Sequence, residues 1–372
     1  SRMLKKMKIT ASTPDPAGGV IVRDKDGQAT GVLRDAAMQE LQKQKFLRQH
    51  MRTTLLRSDI KRALEACSAM GICSVQDNTW LPQGVWAYRY LHRKGRLPCR
   101  VRCWSYASFA PLRMIMERWV RYIPNWVAAG PRKYFLDGTF STSTALLAAP
   151  YEGQDQYGVA VMDKQAVREA LVSAAREGRQ AAFHAIGDKA VGDFLDVFGE
   201  LLPDWPVLRH LRIRLEHVQL ISPGDIRRMA DYGVLAAVQP HAAANFDKDI
   251  ALLGRQRAMG AYPYRSMLDA GVKLSFGSDI PGEATVHPLL GVQLAVCHPG
   301  REGISTEEAL QAYTSGSAWA EFQENCKGKL LPGYFADIAH LAQDPRLCDP
   351  ASIAAIPVLG TMVGGIWRHR LH

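Results

Sequence analysis

The polar residues that close successive apolar runs are the first candidates for chemistry: Asp77, Asp137, His184, His217, Gln239 with His241, and Asp279. Lys133 stands at the start of the run that ends on Asp137 and Gly138, with a side chain long enough to reach the same place. One run and one intervening segment separate His184 from His217, and two separate His217 from Asp279. One such unit, enlarged by the stretch from about Ser141 to Asp163, separates Lys133 from His184. This spacing lets all four residues meet at one end of a repeated strand and helix architecture. Two neutral imidazoles with a carboxylate form a common zinc set, and an added oxygen ligand admits a second ion. Water bound to such an ion is acidified to a pKa of about 7, which suits hydrolysis. Taken singly, each residue has a plainer role. Asp279 caps the turn from Ser278 to Gly282, Lys133 beside Arg132 is a solvated strand end, and Asp188 caps the helix starting near Lys189. The joint placement, not any one residue, points to a metal site.

Seven β-branched or apolar runs read as strands: 71–77, 101–106, 133–138, 180–185, 213–218, 234–240 and 272–279. The segments between them carry helix signals. Ser58 caps a helix over 59–70 that puts Ile60, Leu64, Cys67 and Met70 on one face and stops at Gly71. Ser222, Pro223 and Asp225 supply a cap, a first-turn proline and an early acid. Ser305 with Glu308 forms a capping box that opens a helix from Thr306 to about Cys326. Strands alternating with helices imply right-handed βα units, and seven in a row predict an α/β fold of the TIM (β/α)8 type rather than an open doubly wound sheet. No Gly-x-Gly-x-x-Gly follows the first strand, which weakens a dinucleotide-binding alternative. The barrel is one strand short, and the missing one is the first. Upstream lie a Pro/Gly-rich connection at 13–19, a hairpin at 20–27 and a helical stretch at 36–51. Downstream, 328–333, 336–341 and 361–367 read as short antiparallel strands of a small β appendage. The expected organisation is a connecting segment over 1–52, a barrel over 53–326, and a small β appendage over 327–372.

Composition narrows the partners. With 372 residues, 47% hydrophobic and 22% charged, the chain has enough apolar material for a large core and is neither disordered nor collagen-like. No stretch approaches the roughly 18 to 20 apolar residues of a membrane-spanning helix, and the first residues lack the apolar run of a signal peptide. The formal charge of +10 is scattered, with no more than two basic residues in succession in Lys5-Lys6, Arg93-Lys94, Arg132-Lys133 or Arg227-Arg228. A phosphate-tracking surface needs a focused patch, so the charge reads as solubility or a weak pull on anionic solutes. Seven cysteines without a C-x-x-C pair read as reduced, mostly buried thiols of a cytoplasmic protein. The expected partner is a small-molecule substrate, without nucleic acid or membrane, and self-association stays open.

At these residues the chain resembles the amidohydrolase superfamily, and within it the YtcJ-like group of metal-dependent hydrolases, the amidohydrolase family 3 type. The resemblance covers nearly the whole chain. It is carried by Thr13-Pro14-Asp15-Pro16 with Gly18-Gly19, Asp24, Asp26-Gly27 and Thr30-Gly31-Val32-Leu33, then by Gly71-Ile72 with Ser74-Val75 and Asp77. Asp137-Gly138 with Thr144-Ala145-Leu146, the run from Phe183 to Val191, Glu216-His217, Gln239-Pro240 and Gly277-Ser278-Asp279 continue it. Gly328, Leu330, Pro332-Gly333 and Ala336-Asp337 complete it. The resemblance implies a TIM barrel with a small β-sandwich formed by both chain ends and one or two divalent metal ions, zinc first among them, at the barrel mouth. It assigns Lys133 as a carboxylated lysine bridging two metals, His184 and His217 as histidine ligands, and Asp279 as both ligand and proton shuttle. Gln239, His241 and Asp137 are then the expected substrate contacts.

Departures accompany the resemblance. The family's first-strand His-x-His pair has no counterpart among the eleven histidines, and only twelve residues precede Thr13. Ser143 stands where the group usually has Arg, and Gln76 where it often has His. The leading expectation is a hydrolase of an amide-like C–N bond, with this chain the portion lacking its N-terminal part. The alternative from another class is a catalytically inactive barrel remnant serving as a binding or structural protein.

Overall fold

Alternating apolar runs and amphipathic segments fold into parallel strands joined by helices. A computed structural model describes residues 4, 7–16, 18–35, 37, 53–78, 82–106, 121–283 and 285–371. The chain opens on an antiparallel hairpin, β1 (Gly19–Arg23) and β2 (Ala29–Asp35). Its turn is made by Asp24, whose carboxylate accepts the amides of Asp26 (3.0 Å) and Gln28 (2.8 Å). The run expected to contain the whole hairpin is therefore its first strand and turn. The expected helix over 36–51 lies outside the described residues.

The barrel elements follow in order: α1 (Thr53–Ala69), β3 (Ser74–Asp77), α2 (Pro82–Arg93), β4 (Arg100–Tyr106), β5 (Val127–Phe135), α3 (Lys164–Glu177), β6 (Ala181–Ala185), α4 (Asp188–Leu201), β7 (Arg214–His217), α5 (Pro223–Tyr232), β8 (Leu235–Val238), α6 (Phe246–Leu253), α7 (Arg255–Met259), α8 (Tyr264–Asp269), β9 (Leu274–Phe276), α9 (Pro288–Val296), α10 (Thr306–Gln311) and α11 (Ser317–Ala320). The seven strands from β3 to β9 pair in sequence order as one parallel sheet. Their number and order match the sequence reading, and the sheet curls with helices on its outer face as a partial TIM barrel.

Local chemistry explains the boundaries. Ser222 accepts the Asp225 amide at the start of α5, Pro223 fills the first turn, and Gly233 ends it at φ 72°. Asp163 caps α3 through the Ala166 amide, and Gly178 closes it at φ 58°. The Ser305–Glu308 capping box is present, but the helix it opens is shorter than expected. After a π-helical turn, Ala312–Gly316, it ends at Ala320, because Glu321 turns inward onto Arg102 and Lys327 and Phe322 takes a left-handed φ of 60°.

The core lies between the sheet's outer face and the helices. Phe183, Leu215 and Phe276 are buried there with Leu171, Phe194, Phe198, Met229 and Met267. Truncating a buried phenylalanine such as Phe183 costs about 3–5 kcal/mol, so this layer sets the rigidity of the strand ends. Among the cysteines, Cys99 and Cys103 are buried, Cys297 is exposed and the other four are intermediate, so the thiols are less buried than expected. Among the described residues no helix is long and apolar enough to cross a membrane.

The C-terminal appendage is a three-stranded antiparallel sheet of β10 (Ile338–Leu341), β11 (Val358–Val363) and β12 (Ile366–Arg370). Residues 328–333, expected as a strand, are turns instead. A buried fork joins this region to the barrel: Arg100 Nε and Nη2 donate to the two Asp337 carboxylate oxygens at 2.6 and 3.0 Å. The Gly364 amide donates to the same carboxylate at 2.8 Å, and the guanidinium lies over Phe335 (4.0 Å) and Trp126 (4.6 Å). Removing one partner strands the other charge in a site where both side chains are 7% exposed. Asp337→Ala is expected to lower unfolding free energy by about 3–5 kcal/mol, measured by urea denaturation.

Candidate metal centre at the barrel mouth

Strand register brings the four principal residues to one end of the sheet. In the paired strands Lys133 lies opposite Ala182, Phe135 opposite His184, and Ala185 opposite His217. Lys133 is near the C-terminal end of its strand, not at its start as the sequence suggested. The strand begins at Val127 and passes through Gly130 and Pro131, which read as breakers in isolation. The pairing shifts there, with Cys103 facing Ala129 and Ser105 facing Arg132, so the two residues sit in a bulge where a proline needs no ladder hydrogen bond.

His184 and His217 are 7% and 8% exposed, and their rings meet edge to face with centroids 4.4 Å apart. His184 Nε2 lies 2.8 Å from the Gly138 carbonyl, which requires an N–H there and leaves Nδ1 as an acceptor. Burial drives the His184 pKa down to about 3, with Lys133 adding repulsion. Burial, His184 and Lys133 push His217 well below its ordinary value. Both imidazoles are thus neutral, the form that binds metal. Lys133 is 5% exposed, and among the described residues its amine makes no hydrogen bond or salt bridge; the Phe135 ring lies 5.1 Å away. Burial lowers its pKa against the opposing pull of Glu216, Asp279 and Asp137. Asp279 is exposed as a residue, yet the protein around its carboxyl raises the pKa, with Lys133 opposing and Glu216 reinforcing.

Backbone strain concentrates here. His217 (φ 79°), Val218 (φ 42°) and Asp279 (φ 51°) all occupy the left-handed region that non-glycine residues avoid. Such conformations cost about 1–3 kcal/mol each and persist where the surroundings enforce them.

The remaining expected residues are placed differently. Asp137 has a fully buried side chain whose carboxylate accepts the backbone amides of Leu146 (3.0 Å), Ile186 (3.0 Å) and Gly187 (2.8 Å). It lies 3.6 Å from His184 Nε2. This geometry ties the loop after β5 to the turn after β6 and lends no support to a substrate contact. Gln239 is 8% exposed and donates to the Ala237 carbonyl at 3.1 Å, while its Oε1 is buried without a donor. His241, 3% exposed, contacts the His287 carbonyl through Nε2 at 2.9 Å. Asp188 is the first residue of α4, whose N-cap is Gly187; its carboxylate accepts the Ala148 amide instead. Asp77 accepts the Tyr88 hydroxyl.

Sequence reading missed the ionic floor under this mouth. Arg214 donates to Glu216 at 2.7 Å and to Gln76 at 2.6 Å, and its guanidinium lies over Trp104 at 4.6 Å. Both charged side chains are at most 7% exposed. The strict alternation of Arg212, Arg214 and Glu216 with Ile213 and Leu215 was the available signal, since period two in a strand with an apolar outer face puts charge inside the barrel.

The donor chemistry fits a divalent ion: two neutral imidazoles, a buried amine without a partner, and a carboxylate. It is not a complete cage. Among the described residues no group of three or more His, Cys, Asp or Glu side chains is arranged to hold a metal ion.

Comparison with known proteins follows the same line. The model of the Amidohydrolase family matches residues 1–366. The Bacillus subtilis (strain 168) protein named "Putative amidohydrolase YtcJ" is 30% identical over 98% of this chain and 70% of its own length. The N-substituted formamide deformylase of Arthrobacter pascens is 26% identical over 99% of this chain and 70% of that protein. Among solved structures, an uncharacterized metal-dependent hydrolase from Pyrococcus horikoshii OT3 superposes with a TM-score of 0.75 at 26% identity. That match covers 94% of this chain and 70% of the other. The chain thus spans about 70% of the length of each of these relatives.

Two tests address the framework around the mouth. Asp137→Ala would leave three amides, two of them buried, without an acceptor, so a loss of about 3 kcal/mol is expected in chemical denaturation, with faster proteolysis of the loop after β5. Asp249 on α6 is 4% exposed, accepts the Tyr262 hydroxyl at 2.7 Å, and is raised by burial to a pKa of about 6. The native state therefore holds a proton that the unfolded chain releases near pH 4, and stability falls as pH rises from about 4 to 6. Asp249→Asn is expected to gain about 1–2 kcal/mol relative to the parent at pH 7.5 and little at pH 4, read from denaturation midpoints.

Proposed function

Since the chain belongs to the Amidohydrolase family, we propose that it is a metal-dependent hydrolase that cleaves an amide-like C–N bond, with its metal at the mouth built by β5, β6, β7 and the residues after β9. The observation that carries this reading is the buried pair of neutral imidazoles, His184 and His217, with ring centroids 4.4 Å apart beside the partnerless amine of Lys133. His184 and His217 would hold a divalent ion, zinc by its preference for imidazole, with Asp279 as an oxygen ligand and Lys133 as a further one once carboxylated. Such an ion supplies Lewis acidity and lowers the pKa of its water to about 7.

The chain's own residues perform the remaining work. Gly138 fixes the His184 ring through Nε2, which leaves Nδ1 as the nitrogen with a free lone pair for a metal. Asp279, with a raised pKa, is suited to take a proton from water and return it to a leaving nitrogen, because a shuttle works best when neither protonation state is strongly favoured. Lys133 needs its neutral amine to react with carbon dioxide, and burial favours that form. The relative acting on N-substituted formamides supports the choice of a C–N bond. Gln239 and His241 remain the proposed wall of the substrate pocket, and the mouth is proposed to take a small molecule.

A second reading, a binding or structural protein without catalysis, is favoured by one observation: the described residues contain no three-membered His, Cys, Asp or Glu cage. Zinc titration of the purified chain by calorimetry separates the two. Stoichiometric binding that His184→Ala and His217→Ala each weaken by at least about 100-fold is expected, since each removes one of few protein ligands. Zinc binding indifferent to both substitutions would sink the catalytic reading. A mass increase of one carbon dioxide on native Lys133, absent from Lys133→Met, is expected for the carboxylated form.

A further inference from the structure

The connection between β9 and α9 carries Asp279 on a strained backbone, and among its described residues the internal hydrogen bonds are local turns. Asp279 accepts the amides of Gly282 (2.6 Å) and Glu283 (3.2 Å), which closes a local turn. Neither bond fixes that turn relative to the histidines. Among the described residues, two anchors tie it to one short stretch at the end of β8 and just beyond it. At the start, the Gly277 amide donates to the Val238 carbonyl at 3.1 Å, the last rung of the sheet. At the end, His241 Nε2 meets the His287 carbonyl at 2.9 Å. His287 is itself the N-cap of α9, its Nδ1 accepting the Leu290 amide at 3.1 Å. The segment Val238 to His241 thus grips both ends of the connection that presents Asp279.

His241 is built for this grip. It is 3% exposed and follows Pro240, which opens a 3-10 turn. A Cβ placed on Gly291 of α9 would come within 3.0 Å of its Cε1 and 1.9 Å of the Tyr313 hydroxyl, so the ring has no room to swing that way. Tyr313 belongs to the π-helical turn Ala312–Gly316, a distortion of the kind that recurs at functional sites. A carbonyl partner makes Nε2 the protonated nitrogen, and Nδ1 is left buried without a donor. An unpaired buried acceptor is costly, so the ring is held here by what Nε2 does.

We propose that His241 is a positioning residue: its bond to the His287 carbonyl sets the place of Asp279 relative to His184 and His217. This rests on the reading of Asp279 as the proton-handling ligand, and it gives His241 a role beyond the pocket wall, exerted through the backbone that carries Asp279.

The test uses the full chain and three substitutions. Gln at 241 reaches about as far as the imidazole Nε2 and retains an N–H donor, whereas Asn is too short. Hydrogen exchange of peptides spanning 277–290 is expected to accelerate roughly five- to ten-fold in His241→Asn and to stay near the parent rate in His241→Gln, the effect of one hydrogen bond. Zinc affinity should fall in His241→Asn, recover in His241→Gln, and show no further loss when His241→Asn is combined with Asp279→Asn. Unchanged exchange in His241→Asn would overturn the proposal, as would a zinc loss that adds fully to that of Asp279→Asn. If parent and Asp279→Asn bind zinc equally, the metal role of Asp279 fails, and the exchange rates still decide whether His241 holds the connection.

Discussion

A carboxylate without water must find its donors in the protein, and the fully buried Asp137 finds three of them in backbone amides of Leu146, Ile186 and Gly187. Those amides belong to two separate connections at the same end of the sheet. The satisfied carboxylate therefore fastens the loop after β5 to the turn after β6, and with it the Gly138 carbonyl that orients His184. Charge-assisted bonds of this type are stronger than neutral ones, and their loss leaves unpaired groups behind. The mouth is a rigid frame because its most buried acid is spent on geometry.

The same economy of charge governs the interior. Arg214 and Glu216 neutralise each other beneath the histidines, with Gln76 and Trp104 closing the remaining sides. Lower down, Glu321 receives both Arg102 and Lys327. Lys133 differs: among the described residues its buried amine has no hydrogen-bond or salt-bridge acceptor. Unpaired buried polar groups of this kind recur at functional sites.

Much of this was legible in the sequence. Most strands from β3 to β9 announced themselves because they are short, apolar on the outer face and followed by a polar residue, and the caps at Ser222 and Ser305 marked their helices through side-chain chemistry alone. Lys133 was misplaced along its strand because Gly130 and Pro131 signal a break, and only pairing with the neighbouring strand shows that a bulge absorbs them. Asp137 was expected to contact substrate because acids at strand ends usually face the mouth. Its three amide donors come from residues distant in sequence, and no local pattern records them. Residues 328–333 failed as a strand because apolar content there serves turns, while the sheet itself uses 338–341, 358–363 and 366–370.

The left-handed backbones at His217 and Asp279 set stability and chemistry against each other at single positions. Glycine would relax each of them, because it alone adopts positive φ without steric cost. It would also remove an imidazole or a carboxylate. Selection for folding alone would drift toward glycine or asparagine at both places, and a lineage that keeps His and Asp there accepts a less stable fold in exchange for those side chains. In a set of related chains, the identity of these two residues is thus a record of whether the mouth is still in use, readable without knowing the substrate.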